Sequence, residues 1–211
     1  MQAEVGLLTR NIKITGDSST PVSKYGAHLK LSGTEDSGFE GKVAYSEFTL
    51  CGQPQIPGRY CLYYHMNEEI PASLARGNSF HETYGRAVTL RGVSMLSIEQ
   101  NVAYRARGHN FYFEDGTEIH NRLYYNLAIN SLAVSDMYYT DLAVASFLVR
   151  NPANEVVDNR AAGSDFYGLW LDFPSRVTGA SAQSDICPDG IPLGLISGNV
   201  IHSNKMIGMR I

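Results

Sequence analysis

The chain has 211 residues, of which 44% are hydrophobic and 18% are charged. This balance excludes a disordered chain and allows one folded domain with a substantial core, because a chain of this length buries roughly 70% of its unfolded surface. The formal net charge of −4 at pH 7 provides no overall attraction to nucleic acid or anionic lipid, so we expect no nucleic-acid partner.

Short strands are predicted along the whole chain. Several runs of four or five residues alternate between apolar and polar side chains, which indicates strands with one buried face. For residues 141–148, a strand and a short loop helix both remain open. Gly, Asn and Asp turns separate the runs, which excludes a doubly wound α/β fold. The clearest runs are residues 11–14, 28–31, 87–90 and 95–99.

No part of the chain is apolar enough to insert directly into a membrane. The most apolar stretch, residues 126–149, contains Asn130, Ser131, Asp136, Thr140 and Asp141. It falls short of the run of about 20 apolar residues that spans a bilayer. We therefore expect no membrane insertion in this segment.

An asparagine recurs in similar local sequence at steps of 23, 25, 33 and 40 residues. The first two steps match a parallel β-helix coil of roughly 20 to 25 residues, and the longer two fit the same coil with insertions. At a tight corner Asn tolerates the left-handed conformation, and stacked amides can form a hydrogen-bonded ladder. We predict an all-β, parallel β-helix solenoid over residues 1–211, with loop insertions in the C-terminal half. A sandwich with Asn at its turns is the alternative. The asparagines are Asn78, Asn101, Asn126, Asn159 and Asn199.

The three cysteines have no CxxC spacing, which argues against a zinc ribbon or a thioredoxin-type pair. Cys51 and Cys61 are separated by a loop rich in Gly and Pro that could bring them together. Unpaired cysteines, acting as small buried hydrophobic residues, are the favoured interpretation, and a Cys51–Cys61 bridge is the alternative.

Several motifs resemble one family of large surface proteins. They include Gly-Arg-Tyr-Cys-Leu-Tyr-Tyr-His at 58–65, Arg-Gly-Asn-Ser-Phe-His at 76–81 and Phe-Glu-Asp-Gly-Thr-Glu at 113–118. The sequence resembles the β-helix region of fibrocystin, fibrocystin-like receptors and cell-surface hyaluronidases. The resemblance implies a right-handed, single-stranded parallel β-helix on an extracellular or cell-surface protein. It also implies a polysaccharide such as hyaluronan, or a protein, as the partner. Because the family's glycine-rich domain and anchor are absent, we expect a fragment of a longer chain.

Side chains at one point of successive coils stack about 4.8 Å apart, so a β-helix site is built down a column. If Leu62, Tyr64, Val88 and Leu90 point inward, alternate residues point outward. We therefore expect one exposed column of imidazole, guanidinium and carboxylate groups, with further charged residues at its margins. The column residues are His65, Arg91 and Asp115, and the marginal residues are Arg59, Glu114 and Glu118.

Such a column suits an acidic polysaccharide, because Arg pairs with a sugar carboxylate and an acid or His transfers protons at a glycosidic oxygen. The catalytic candidates are His65, Asp115 and Glu114. The substrate-binding candidates are Arg59, Arg91, Glu118 and His109.

A purely structural interpretation competes with this one. Asp115-Gly116 is also an ordinary turn, and Glu114 or Glu118 can simply accept hydrogen bonds from Arg59 or Arg122.

Other chemistry has weaker support in the sequence. We expect no cofactor or metal, although calcium near the three acids is an alternative that lacks an EF-hand loop. His81 and His202, each three residues after its Asn, fit corner packing better than metal binding. Several aromatic side chains could stack on sugars or form internal rungs of the β-helix. These are Tyr124, Tyr125, Tyr138, Tyr139 and Trp170.

Departures from the family pattern move the functional hypothesis away from catalysis. Cys61 stands where the family usually has Pro, and Tyr63 stands where it has a second His. Arg91 replaces a His of the hyaluronidase members, and Arg cannot act as a base at neutral pH. Our leading hypothesis is a non-catalytic module that presents one face to a glycan or protein. The alternatives are a hyaluronan-type depolymerase and an architectural spacer.

Overall fold

The computed structural model describes residues 3–136 and 141–211. Its strands stack in three parallel sheets, and every third strand of the chain joins the same sheet. One coil therefore gives one strand to each sheet, which is the arrangement of a parallel β-helix and confirms the predicted fold. No helix among the described residues is long and apolar enough to cross a membrane.

The sheets contain strands of two to eight residues. The first sheet contains β1 (Ile12–Thr15), β4 (Ser46–Thr49), β7 (Ser79–His81), β10 (Val102–Tyr104), β13 (Leu127–Ile129), β16 (Arg160–Ala162) and β19 (Val200–His202). The second sheet contains β2 (Leu29–Leu31), β5 (Leu62–Glu69), β8 (Val88–Ser94), β11 (Phe111–Phe113), β14 (Ala145–Val149), β17 (Tyr167–Leu171) and β20 (Ile207–Arg210). The third sheet contains β3 (Lys42–Ala44), β6 (Leu74–Arg76), β9 (Ser97–Glu99), β12 (Arg122–Tyr124), β15 (Glu155–Val157) and β18 (Ile196–Ser197). Short helical turns occur at α1 (Thr20–Ser23), Glu35–Ser37 and Pro188–Gly190.

The core consists of apolar columns that run parallel to the axis of the β-helix. In the second sheet one column pairs residues in strict register, and all its members are buried. Burial of each such side chain contributes about 1.5–3 kcal/mol to folding. Leu62, Val88, Phe111, Phe147 and Leu169 form this column.

The predicted asparagine ladder forms at the corner that precedes the first sheet. The Nδ2 of Asn101 donates to Oδ1 of Asn126 at 2.9 Å, and the backbone N–H of Asn101 donates to the same oxygen at 3.0 Å. The same pair of bonds repeats at each step from Asn78 to Asn199. Buried amides are satisfied in this way without water.

One detail of the corner prediction is wrong. The left-handed conformation is taken by the residue before each ladder asparagine, for example Gln100 (φ 55°) and Tyr125 (φ 56°), while the asparagine begins the next stretch. This placement leaves the asparagine side chain free to point along the axis of the β-helix, where it bonds to its neighbours.

The strand at 141–148 and the insertions are now defined. Residues 145–149 form β14, so the strand interpretation of 141–148 is confirmed for residues 145–148, while residues 141–144 lie outside the strand. The long steps of the ladder arise from residues 130–144, between β13 and β14, and from residues 172–195, between β17 and β18. The described parts of both insertions reach the outer face of the second sheet, because Asp141 of the first contacts Arg86 and Ser181 of the second contacts Asp115.

Cys51 and Cys61 form a disulfide bond with a Cα–Cα distance of 5.0 Å, so the expectation of unpaired cysteines is wrong for this pair. Cys51 follows β4 and Cys61 precedes β5, and the loop between them turns back on itself. The bridge therefore closes the corner between the first two sheets. Cys187 is unpaired and exposed.

Candidate functional site

The outer face of the second sheet brings together most of the predicted site residues. His65 pairs with Arg91 in the register of β5 and β8. Arg91 Nη2 lies 2.9 Å from Glu114 Oε1, and Arg91 Nε lies 3.2 Å from Asp115 Oδ1. The spacing of about one coil between these residues therefore makes them spatial neighbours, as the sequence predicted.

The expectation that this column is exposed is wrong for its carboxylates. Glu114 is 9% exposed, Asp115 is 3% exposed and Glu118 is completely buried. The cover comes from tyrosines two coils earlier and from the insertion at 172–195, neither of which the spacing of the column could reveal.

Asp115 is held by the insertion that covers it. Its Oδ2 accepts hydrogen bonds from the backbone N–H of Ser181 at 3.0 Å and from the Ser181 hydroxyl at 2.9 Å. Gly179, at φ 98°, passes so close that a Cβ there would lie 2.1 Å from Asp115 Oδ1. Only glycine fits this position, and the close approach excludes a ligand from this side of Asp115.

Glu114 is surrounded by four donor side chains. Tyr60 and Tyr63 donate from their hydroxyls at 3.2 and 3.4 Å, Arg86 donates at 3.1 Å, and Arg91 forms the ion pair described above. Burial raises the pKa of Tyr60 to about 12, so this phenol stays protonated and remains a donor at neutral pH. These donors use the carboxylate oxygens that a substrate would need.

Arg86 and Asp141 form a buried ion pair at the centre of this region, which no motif or spacing in the sequence predicts. Arg86 is 2% exposed and bonds Asp141 through Nε and Nη2, while its guanidinium lies between the rings of Tyr60 (4.7 Å) and Tyr112 (4.3 Å). This buried, bidentate ion pair anchors residues 141–144, at the end of the first insertion, to the β-helix.

His109 contacts the Arg86–Asp141 ion pair through Asp141 and is buried. Its Nδ1 accepts a hydrogen bond from the backbone N–H of Ala145 at 3.0 Å, and its Nε2 lies 3.4 Å from Asp141 Oδ1. The side chain is completely buried. In this position His109 orients Asp141 and the start of β14.

Glu118 shapes the turn that carries the acids. Its carboxylate accepts hydrogen bonds from the backbone N–H groups of Gly92 at 2.9 Å and Gly116 at 2.8 Å. Burial raises the pKa of Glu118 to about 6, although these amides oppose the change. We use the name ionic network for the buried residues Arg86, Glu114, Asp115 and Asp141 together with the partly exposed Arg91, and Glu118 borders it.

Arg59 lies outside the ionic network. It is exposed, and its Nη1 donates to Gln53 at 3.0 Å. Lys30 lies 5.7 Å from the centre of the Tyr63 ring. Among the described residues, no carboxylate lies within ion-pair distance of either cation.

Two histidines accompany these cations. His65 packs edge-on against the Tyr63 ring at 5.0 Å. Burial and the nearby charges of Lys30 and Arg91 lower the pKa of His65, and burial with Arg59 lowers that of His28. We use the name basic face for the surface residues His28, Lys30, Arg59 and His65.

The remaining candidates have structural partners. His81 bonds Glu47 at 3.1 Å, and Trp170 packs under the guanidinium of Arg210 at 4.7 Å. Tyr125 is exposed and contacts Tyr124 edge-on at 6.1 Å. Tyr138 and Tyr139 lie outside the described residues. Across residues 3–136 and 141–211, no group of three His, Cys, Asp or Glu side chains is arranged to hold a metal ion.

Comparison with known proteins identifies the family. A family model described as CEMIP beta-helix matches residues 24–209. Human Fibrocystin-L is 31% identical over 245 residues, which cover 100% of this chain and 6% of that protein. Human Cell surface hyaluronidase CEMIP2 is 29% identical over 255 residues, which cover 100% of this chain and 18% of that protein. Communication mutant protein F of Dictyostelium discoideum is 29% identical over 222 residues, which cover 96% of this chain and 19% of that protein. The chain thus spans a small part of these relatives, and it belongs to the CEMIP β-helix family.

Proposed function

We propose that this chain is a non-catalytic β-helix module of an extracellular or cell-surface protein, and that its basic face binds an acidic polysaccharide. The observation that carries the proposal is that the carboxylates of this region have partners within the protein, whereas two of its surface cations do not. The carboxylates of the ionic network are occupied by donors of the protein itself, whereas Lys30 and Arg59 have no carboxylate partner in the described part of the chain.

Hyaluronan is the acidic polysaccharide that we propose as ligand. CEMIP2 is named a cell surface hyaluronidase. Hyaluronan is an acidic polysaccharide whose repeating unit contains one sugar carboxylate. Carboxylates form charge-assisted hydrogen bonds with Lys and Arg. A repeating polymer can engage several cations of the basic face at once, which strengthens binding beyond any single contact.

The geometry of the acids supports binding over hydrolysis. A glycosidase needs one carboxyl group that donates a proton and a second that acts as nucleophile or base, both open to the glycosidic bond. Asp115 is enclosed by Ser181 and Arg91, and Glu118 is buried among backbone amides. Glu114 accepts a hydrogen bond from Tyr60 and pairs with Arg86 and Arg91, so its oxygens are engaged within the protein.

Titration with hyaluronan at low salt tests the proposal. We expect saturable binding, and we expect Lys30→Ala with Arg59→Ala to lower the affinity about tenfold because two charge-assisted contacts are lost. Arg122→Ala is the matched control, because Arg122 is an exposed arginine on the third sheet. Equal binding by the double variant and the parent would refute the basic face, and no saturable binding would favour the architectural spacer.

A further inference from the structure

A groove of about 700 Å³ opens at the corner between the first and second sheets, and it shares no residue with the basic face. Its volume lies within the range of small-molecule sites in proteins. The polar wall comes from the ends of β7 and β10 and the turns that follow them. His81, Glu82, Tyr84, Tyr104, Arg105 and Arg107 form this wall.

Backbone geometry fixes where these side chains point. Glu82 (φ 50°) and Arg105 (φ 54°) both take the left-handed conformation, at the same corner of consecutive coils. Arg107 is positioned by its own contacts, because its guanidinium lies 5.2 Å from the centre of the Tyr84 ring and its backbone N–H donates to Thr83. Two guanidinium groups therefore line the groove from residues that are two apart in sequence.

The charges of the groove are unbalanced. Neither Arg105 nor Arg107 forms an ion pair within the described residues. Glu82 adds one negative charge to the wall, where it accepts a hydrogen bond from Thr49 at 3.1 Å, whereas Asp136 pairs with Lys24. The two arginines therefore exceed the unpaired acid of the wall by one charge. The groove thus offers two cations to a ligand.

We propose that this groove is a second binding site, which takes a carboxylate-bearing sugar of a short acidic oligosaccharide. Arg105 and Arg107 pair with the carboxylate, and the half-buried ring of Tyr104 provides a face for the sugar. The hydrogen bond between His81 Nε2 and Glu47 at 3.1 Å fixes the orientation of the imidazole ring, which can then make a polar contact with the sugar. This inference does not depend on the basic face.

The experiment is an NMR titration of the whole chain with a short hyaluronan oligosaccharide, following the side-chain signals of His81 and Tyr104. We expect both signals to shift and to saturate. The methyl ester of the same oligosaccharide, which lacks the charges, should bind at least about tenfold more weakly. Equal shifts with the ester, or no shift with the acid, would overturn the proposal. Larger shifts with an acidic peptide would also overturn it, in favour of a protein ligand.

Variants locate the site and separate the two proposals. Arg105 is exposed, so Arg105→Ala should leave the fold intact and weaken the His81 and Tyr104 responses about tenfold. Lys30→Ala with Arg59→Ala should leave these responses unchanged even where it weakens binding of the long polymer. Arg122→Ala again serves as control. Unchanged responses in Arg105→Ala would contradict the role of the groove.

Discussion

The asparagine ladder and the ionic network bury polar groups in opposite ways. The ladder repeats one neutral side chain from coil to coil, and each amide bonds to the next. The ionic network combines charged residues of two coils with Asp141 from one insertion, and Ser181 of the other insertion caps Asp115. The ladder therefore depends on periodicity, whereas the network depends on residues that interrupt it.

The difference shows how a β-helix tolerates buried polarity. A neutral amide has both donors and an acceptor, so a column of identical residues satisfies itself. A column of identical charges would repel itself, so buried charges require partners of opposite sign from elsewhere in the chain. The insertions provide those partners, and the network in turn anchors the insertions.

The largest effect is expected in the ionic network. Arg86→Met should lower the free energy of unfolding by about 3–5 kcal/mol, because it leaves Asp141 buried without its main cation. Chemical denaturation measures this change. Adding Asp141→Asn to Arg86→Met should recover part of the loss, since the uncompensated charge is removed. A loss below about 1 kcal/mol in Arg86→Met would show that the pair does not anchor the insertion.

A smaller loss is expected in the ladder. Asn126→Ala should lower the free energy of unfolding by about 2–3 kcal/mol, because it removes the oxygen that accepts two hydrogen bonds from Asn101 and the amide that donates to the Ile98 carbonyl. Asn11→Ala is the matched control at an exposed asparagine, with an expected change within about 0.5 kcal/mol. If the two variants are equally stable in urea denaturation, the ladder is not a source of stability.

The smallest effect is a pH dependence at the border of the network. The pKa of Glu118 is about 6 in the folded chain and 4.5 in the reference state, so the folded state binds this proton more tightly. The penalty of the buried charge is complete above about pH 6, and it is relieved progressively as the pH falls from about 6 to 4.5. By linkage, the parent should gain about 2 kcal/mol from this group over that range.

Glu118→Gln isolates this contribution. Glutamine does not titrate, so the difference in unfolding free energy between parent and variant should grow at low pH in favour of the parent. Both proteins share the other titrating groups, including His65 and His28, whose contributions cancel in the difference. A difference that is independent of pH would contradict the raised pKa of Glu118.

The features that the sequence predicted correctly are those that repeat once per coil. The ladder asparagines and the pairing of His65 with Arg91 follow from coils of similar length, which bring residues about one coil apart into contact. The Cys51–Cys61 bridge could not be decided by spacing, because ten residues can form either an open or a closed loop.

The burial of the acids depends on contacts that the repeat length of the coils does not predict. Asp141 contacts Arg86 across 55 residues, and Ser181 contacts Asp115 across 66. Asp141 and Ser181 lie in insertions, and tertiary packing determines where each insertion meets the second sheet. The sequence therefore indicated which residues meet on the second sheet, but the insertions determine which of them reach solvent.

The most direct test of the account is the chain length of hyaluronan after incubation with the protein under conditions where binding is saturated. We predict that the length distribution stays unchanged, because the carboxylates of the ionic network are engaged within the protein and only the cations of the surface meet the polymer. Shortening of the polymer that disappears in Glu114→Gln or His65→Ala would contradict the account and assign catalysis to this face.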